Sequence, residues 1–347
     1  MPAQLPGTQV PPPTAPTGIL WTIPIPAAAI TSPVITGELV LIAHLPGIVA
    51  AYHQDDGHEV WRAALDPTQP LATDGTLLFV SAGDAIHAIR LSDGAIAWRS
   101  PAPGVTAPLL VKDGWLIAAT EGRLTARRAS DGSTVWEVEA GVQREAAAIS
   151  GDVLFLPHAD GRIVARNLRD GSPLWERRIG GSPVEPLAIG DEVFVGAADR
   201  RFYCLAAATG RVAWSFRVGA SVRGRASSDG ERVFFAALDN LVRALDRTDG
   251  GLRWQKGLPF RPLAGPVALG GSLFIAGSDE VRVLRATDGT DAGNLNYPAS
   301  LSLSPGFAET PEGLLVAAAT GGLEEAWSLS LSLVSGARRT AVDPKVR

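Results

Sequence analysis

The sequence predicts an all-β fold: an eight-bladed β-propeller of four-stranded antiparallel blades. Three observations carry this. An eleven-residue pattern recurs at a nearly fixed period. Each period holds four short apolar runs separated by hairpin turns. A segment near the N-terminus supplies the strand that the last repeat lacks.

The pattern ends in Gly-x-x-x-Trp. Its copies are AYHQDDGHEVW (51–61), AIRLSDGAIAW (88–98), ARRASDGSTVW (126–136), ARNLRDGSPLW (165–175), CLAAATGRVAW (204–214) and ALDRTDGGLRW (244–254). A seventh, VLRATDGTDAG (283–293), keeps the turn without the Trp, and an eighth, SLSLVSGARRT (330–340), keeps only Gly336 and the apolar run. Trp61, Trp98, Trp136, Trp175, Trp214 and Trp254 are spaced by 37, 38, 39, 39 and 40 residues. A period of that size means a solenoid, a propeller or an array.

The interior of a repeat decides among these. In residues 184–218, VEPLAIG, VFVGAA, FYCLAAA and VAWSFRV are four short apolar runs. They are separated by turns at Gly190–Asp191, Asp199–Arg200 and Thr209–Gly210. Gly, Asp and Asn tolerate the backbone that tight hairpins demand. Four antiparallel strands per repeat describe one propeller blade. No segment sustains a 3.6-residue apolar period, which argues against helical repeats.

The last blade needs a fourth strand. Ile19–Ile23 carries Trp21, which stands 40 residues before Trp61, and is expected to close the ring; residues 337–342 are the competing closure. Such a closure leaves no free sheet edge. Gly289 to Gly336 spans 47 residues, so the last blade is expected to hold an insertion around 310–325. Residues 1–17, with three consecutive prolines at 11–13, read as a flexible Pro-rich tail, and residues 18–343 as one propeller domain.

Composition narrows the function. The 347 residues carry a net charge of −5 and no long basic run, which argues against nucleic-acid binding. Cys204 is the one cysteine, so neither an intrachain disulfide nor a cysteine metal site is available. No apolar run reaches the ~18 residues of a membrane helix, and no basic and apolar leader of the signal-peptide kind opens the chain. Serine-nucleophile, P-loop and dinucleotide motifs are absent.

The eleven-residue pattern resembles the tryptophan-docking motif of quinoprotein-type (PQQ-like) propellers, strongly over residues 51–293 and weakly at both flanks. In that motif the Trp residues, Trp21 included, are structural, each burying roughly 150–250 Å² between blades. The resemblance implies one of two branches. Quinone-dependent alcohol dehydrogenases carry a calcium ion, a catalytic Asp and a disulfide of adjacent cysteines. A non-catalytic branch includes outer-membrane assembly lipoproteins with eight blades and an N-terminal closing strand. Length, blade count and closure fit the second; the missing lipid-bearing cysteine departs from it.

That branch implies a binding scaffold of the bacterial cell envelope, with protein partners, no catalytic residue, no cofactor and no metal. A periplasmic or envelope location follows from the resemblance alone, and the cytoplasm stays open. The alternatives are a propeller that binds PQQ or another small molecule, and a structural or sensor module of a larger complex.

One surface stands out. Inner-strand positions of the first three blades are neutral: Ile30–Pro33, Pro70–Thr73 and Thr106–Pro108. In the next four blades they become Arg144, Glu145, Glu185, Arg223, Arg225 and Arg261. Charges on consecutive blades are expected to lie on one arc of the rim. They suit either a docking site, with Arg forks for carboxylates, or ion pairs such as Arg144–Glu185 lining a wet channel. Asp160, Asp199, Asp239 and Asp279, one per blade, read as turn formers, because a metal needs several oxygens converging on one point. His44, His53, His58, His87 and His158 lack the HExxH or HxH spacing of ligands and read as strand or turn residues. Trp115 lies outside the Trp register and is expected to pack within its blade.

Overall fold

The computed structural model describes residues 18–297, 304–310, 313–321 and 326–334. Eight sheets of four antiparallel strands follow one another, with no helix among the described residues. Seven blades are consecutive meanders. In blade 5 the strands are Leu187–Ile189, Glu192–Ala197, Arg201–Ala206 and Val212–Arg217, in that spatial order. The eighth blade takes Gly306–Thr310, Gly313–Thr320 and Ser328–Val334, and its outer strand is Gly18–Pro24 from the N-terminus. Trp21 pairs with Leu331 and Ile23 with Leu329 in that closing ladder. Gly336 and the competing segment 337–342 lie outside the described residues, as does the 1–17 tail. The second strand of the eighth blade, Gly313–Thr320, runs eight residues where the other blades use five or six, and much of the interval expected to hold an insertion lies outside the described residues.

Second and third strands are buried on both faces, which is why they read as unbroken apolar runs rather than alternating ones. Successive residues serve different seams. Val40 and Ile42 pack toward blade 8, while Leu41 and Ala43 pack toward blade 2. Fourth strands lie at the periphery and alternate in exposure, as Glu59–Ala64 does around buried Trp61.

Seven of the eight seams repeat one device. The indole N–H of a fourth-strand Trp donates to a carbonyl in the next blade: Trp21 to Gln54 (2.8 Å), Trp61 to Leu91 (2.7 Å), Trp98 to Ala129 (3.0 Å), Trp136 to Leu168 (2.7 Å), Trp175 to Ala207 (2.7 Å), Trp214 to Arg247 (3.1 Å) and Trp254 to Ala286 (3.0 Å). The ring lies flat on the turn glycine of that blade. At Gly171 an added Cβ would sit 2.8 Å from the Trp136 ring, and φ is +71 to +72° at Gly132 and Gly171 alike. Glycine is therefore required twice, for the positive φ and for the approach. Blade 7 has Gly293 at the Trp position, and its seam with blade 8 is filled instead by Phe274 against Phe307 (centroids 5.7 Å apart) with Tyr297 and Val316. Trp115 packs against the core between blades 3 and 4. Trp327, outside the repeat register, covers Gly321 and joins the core between blades 8 and 1.

Candidate functional site at the channel rim

The innermost strands are short because little room is left near the axis. Blades 3, 4, 5 and 7 use three residues each: Leu110–Lys112, Ala148–Ser150, Leu187–Ile189 and Val267–Leu269. Blade 6 departs from this with seven, Val222–Ser228. Arg223 pairs with Ala236 and Ser227 with Phe234, so the inner strand spends two more residues than its partner over that interval. The bulge of Gly224, Arg225 and Ala226 is the result, and such bulges re-aim side chains.

Two glycines make the bulge possible. Gly224 has φ +62°, and a Cβ there would lie 2.4 Å from the Gly265 amide nitrogen. A Cβ on Gly265 would lie 1.7 Å from the Arg225 carbonyl oxygen. The backbones of blades 6 and 7 therefore touch at this point. Arg223 Nε donates to the Leu263 carbonyl of blade 7 (2.9 Å), whereas Arg225 turns toward blade 5 and reaches Glu185 Oε1 at 3.5 Å.

Two carboxyls complete the group. Burial pushes the Glu185 carboxyl above its ordinary range; Arg225 opposes the rise and the charge of Glu145 adds to it. Glu145 is open to channel water, yet the surrounding protein still raises its carboxyl, with Arg223 opposing. Four of the six rim residues predicted from sequence thus act on one another: Glu145, Glu185, Arg223 and Arg225. Arg144 and Arg261 are exposed on the connections into blades 4 and 7. Among the described residues, the ion-pair partner of Glu185 is Arg225 rather than Arg144. The sequence pattern missed this because the blade 6 bulge swings Arg225 across the seam.

The arrangement offers two guanidinium groups and two carboxyls that hold protons more tightly than usual, side by side on three consecutive blades. It suits polar recognition. The turn aspartates do form turns: Asp160, Asp199 and Asp239 each accept the amide two residues on, at 3.3, 3.1 and 3.2 Å. The positive φ falls on the following residue, Gly161, Arg200 or Asn240. Cys204 is fully buried, and burial pushes its thiol up to about 12. His44, His87 and His158 are buried strand residues.

The opposite face holds two further features. An open cleft of about 890 Å³ lies between blades 5 and 6, with its charges paired internally, Arg247 on Glu192 (2.5 Å) and Arg253 on Asp246. On blade 1, His53, Asp56 and His58 come together on one hairpin turn.

Among solved structures, the chain is similar to BamB from Moraxella catarrhalis, at 19% identity over 91% of this chain and 99% of that one, with a TM-score of 0.74. It is also similar to two quinohemoprotein alcohol dehydrogenases. The one from Pseudomonas putida HK5 matches at 12% identity over 95% of this chain and 78% of that one (TM-score 0.72). The one from Comamonas testosteroni matches at 12% over 93% and 77% (TM-score 0.72). At such identities these likenesses show the shared fold. No curated protein sequence matches the chain. One family model does, over residues 45–188 and 178–301, which is most of the chain and takes in the six Trp-bearing repeats. By that match the chain belongs to the PQQ-type propeller family described as outer membrane protein assembly factor BamB.

Proposed function

We propose that this propeller is a non-catalytic binding scaffold of the bacterial cell envelope, mediating protein–protein interaction or assembly, and that partners dock on the channel rim of blades 4 to 7. The observation that carries the reading is the blade 6 bulge. A strand that would close its ladder in three residues spends seven, with two glycines in backbone contact, and so presents Arg223 and Arg225 beside Glu185 and Glu145. The inner strands of blades 3, 4, 5 and 7 close their ladders in three residues without such a detour. Guanidinium groups suit the carboxylates of an acidic partner loop, and membership of the assembly-factor family supports a protein as that partner.

The quinone-binding reading rests on the shared fold, and function on a fold is decided by the site. The adjacent-cysteine disulfide that the resemblance gives to that branch needs two cysteines, and the chain has Cys204 alone. The testing variant is Arg223→Glu with Arg225→Glu, used in capture of partners from envelope extracts. Loss of the captured protein with the propeller still folded is the expected result; unchanged capture would remove the rim assignment. Calorimetric titration with PQQ, with and without calcium, separates the two branches: absence of saturable heat is expected, and micromolar or tighter binding would replace the scaffold reading with an enzymatic one.

A further inference from the structure

The outer hairpin turn of blade 1 differs from its six counterparts in a way that folding does not require. All seven turns use one residue in the same manner. Asp56 Oδ1 accepts the amide of His58 at 3.0 Å. Asp93, Asp131, Asp170, Asp249 and Asp288 accept the corresponding amides at 2.8–3.0 Å, and Thr209 does so at 3.4 Å. Asp56 therefore has a structural reason to be present. The positions on either side of it do not share one. Where blade 1 has His53, the other blades have Arg90, Arg128, Asn167, Ala206, Asp246 and Arg285. Where it has His58, they have Ala95, Ser133, Ser172, Arg211, Gly251 and Thr290. The turn folds with any of these, and blade 1 alone places imidazoles at both.

The geometry brings the two rings together. They stack at 5.1 Å between centroids and 11° between planes. One nitrogen from each ring and one Asp56 oxygen all lie within 4.8 Å of one another. His58 Nδ1 is already 2.6 Å from Asp56 Oδ1. Two more carboxylates stand close: Glu38 Oε2 is 3.8 Å from His53 Nε2, and Asp55 Oδ2 is 3.8 Å from His53 Nδ1. The His58 and Asp56 side chains are 58% and 64% exposed, so rotation about their side-chain bonds is free to draw the donors together by the ~1–1.5 Å that a tetrahedral ion demands.

We propose that His53, Asp56 and His58 form a site for a divalent transition-metal ion of the zinc class, with Glu38 as a fourth donor. Two imidazoles with carboxylates are a borderline donor set, matched to Zn²⁺, Cu²⁺ or Ni²⁺ rather than to Ca²⁺ or Mg²⁺, which prefer oxygen alone. The backbone beneath the site is fixed. The amide of His53 donates to the His58 carbonyl (2.8 Å) and that of Gly57 to the His53 carbonyl (2.9 Å). The same turn is the dock for the closing strand: Trp21 donates to Gln54 O at 2.8 Å, and a Cβ on Gly57 would lie 2.9 Å from the Trp21 ring. An ion held by His53, Asp56 and His58 spans both ends of the turn on which Trp21 docks, and so stiffens the blade 1 side of the seam with the N-terminal strand.

The test uses a variant whose two replacements already occur at the equivalent positions of another blade. His53→Arg with His58→Ala reproduces the blade 2 turn, where Arg90 pairs with Asp93 and Ala95 follows. The full chain, stripped with chelator, is titrated calorimetrically with ZnCl₂, and its melting temperature is read with and without the ion. One equivalent bound at micromolar Kd or tighter, weakened at least tenfold in the variant, with a zinc-dependent rise in Tm confined to the parent, is the expected result. Equal binding by parent and variant, or no binding by the parent at micromolar zinc, would overturn the site. The buried His44, His87 and His158 remain in both proteins and serve as the control for adventitious histidine binding.

Discussion

The indole of Trp136 in blade 3 hydrogen-bonds the Leu168 carbonyl of blade 4 at 2.7 Å while its ring rests on Gly171 of the same blade. One side chain thus supplies both the apolar and the polar part of a seam. Trp136 is 9% exposed, so the contact is made largely out of water.

Trp136→Ala is expected to cost about 3–5 kcal/mol, the range for emptying a large buried aromatic site. Trp136→Phe keeps most of the ring contact and loses the hydrogen bond, at about 1 kcal/mol beyond the change in packing. Gly171→Ala should be worse than an ordinary Gly→Ala change, because the methyl would meet the indole at 2.8 Å on a backbone with φ +72°. Equilibrium denaturation in guanidinium checks all three, and a Gly171→Ala protein as stable as the parent would refute the packing argument.

Arg243 and Asp239 make a second testable pair. Nη2 and Oδ2 are 2.7 Å apart, with side chains 6% and 16% exposed, and the same carboxylate accepts the Gly219 amide at 3.0 Å. Arg243→Ala strands a buried charge and is expected to cost about 3–5 kcal/mol. Burial alone would raise the Asp239 carboxyl, but hydrogen bonds and charge from Arg243, with the Gly219 and Leu241 amides, bring it below its ordinary value. A depressed carboxyl contributes stability above its unfolded-state pKa, near 3.9, and loses it as pH falls through the folded-state value. The gap in Tm between parent and Arg243→Ala should therefore narrow in acid.

Glu145 and Glu185 have the opposite sign. Both carboxyls are raised, first by the desolvation that the surrounding protein imposes, with Arg223 and Arg225 opposing. A raised carboxyl destabilises the fold at pH above its folded-state pKa, and the penalty fades as pH falls toward the unfolded value near 4.3. Glu145→Gln combined with Glu185→Gln should raise Tm at neutral pH and give no advantage near pH 4. A Tm profile across pH 4–8 measures this directly. A double variant less stable than the parent at pH 7 would mean that the Arg225–Glu185 contact at 3.5 Å outweighs the desolvation of the two carboxylates.

Cys204 should be inert in the folded protein. It is fully buried, and burial, then the nearby charge of Glu192, raises its thiol to about 12. The thiolate is the reactive form, so an aromatic disulfide reagent at pH 8 is expected to label it only after denaturant is added. Stoichiometric labelling of the native protein would show that blade 5 opens.

Much of this was legible in the residues. Trp61 through Trp254 mark the seams, because a ring that must bury its area and satisfy one N–H recurs wherever the same seam recurs. The closing strand was legible too, since Trp21 stands one period before Trp61. The rim charges were found as a set, but their partners were not. Sequence suggested Arg144 for Glu185, and the bulge at Gly224 gives it Arg225. A bulge leaves no periodic trace; the two glycines that permit it matter only because another blade approaches.

The sequence by itself determined the blade count, the strand order and the place of each docking Trp, since these follow from local turn chemistry and from an apolar period repeated along the chain. Only the tertiary structure decided which side chains meet. His53 and His58 match no ligand motif because a five-residue turn, not a helix or strand spacing, folds them face to face. Glu145, Glu185, Arg223 and Arg225 lie up to 80 positions apart, from 145 to 225, and the propeller's axis alone makes them neighbours. Contacts between blades depend on how whole sheets are packed, and no residue's own neighbours in sequence carry that information.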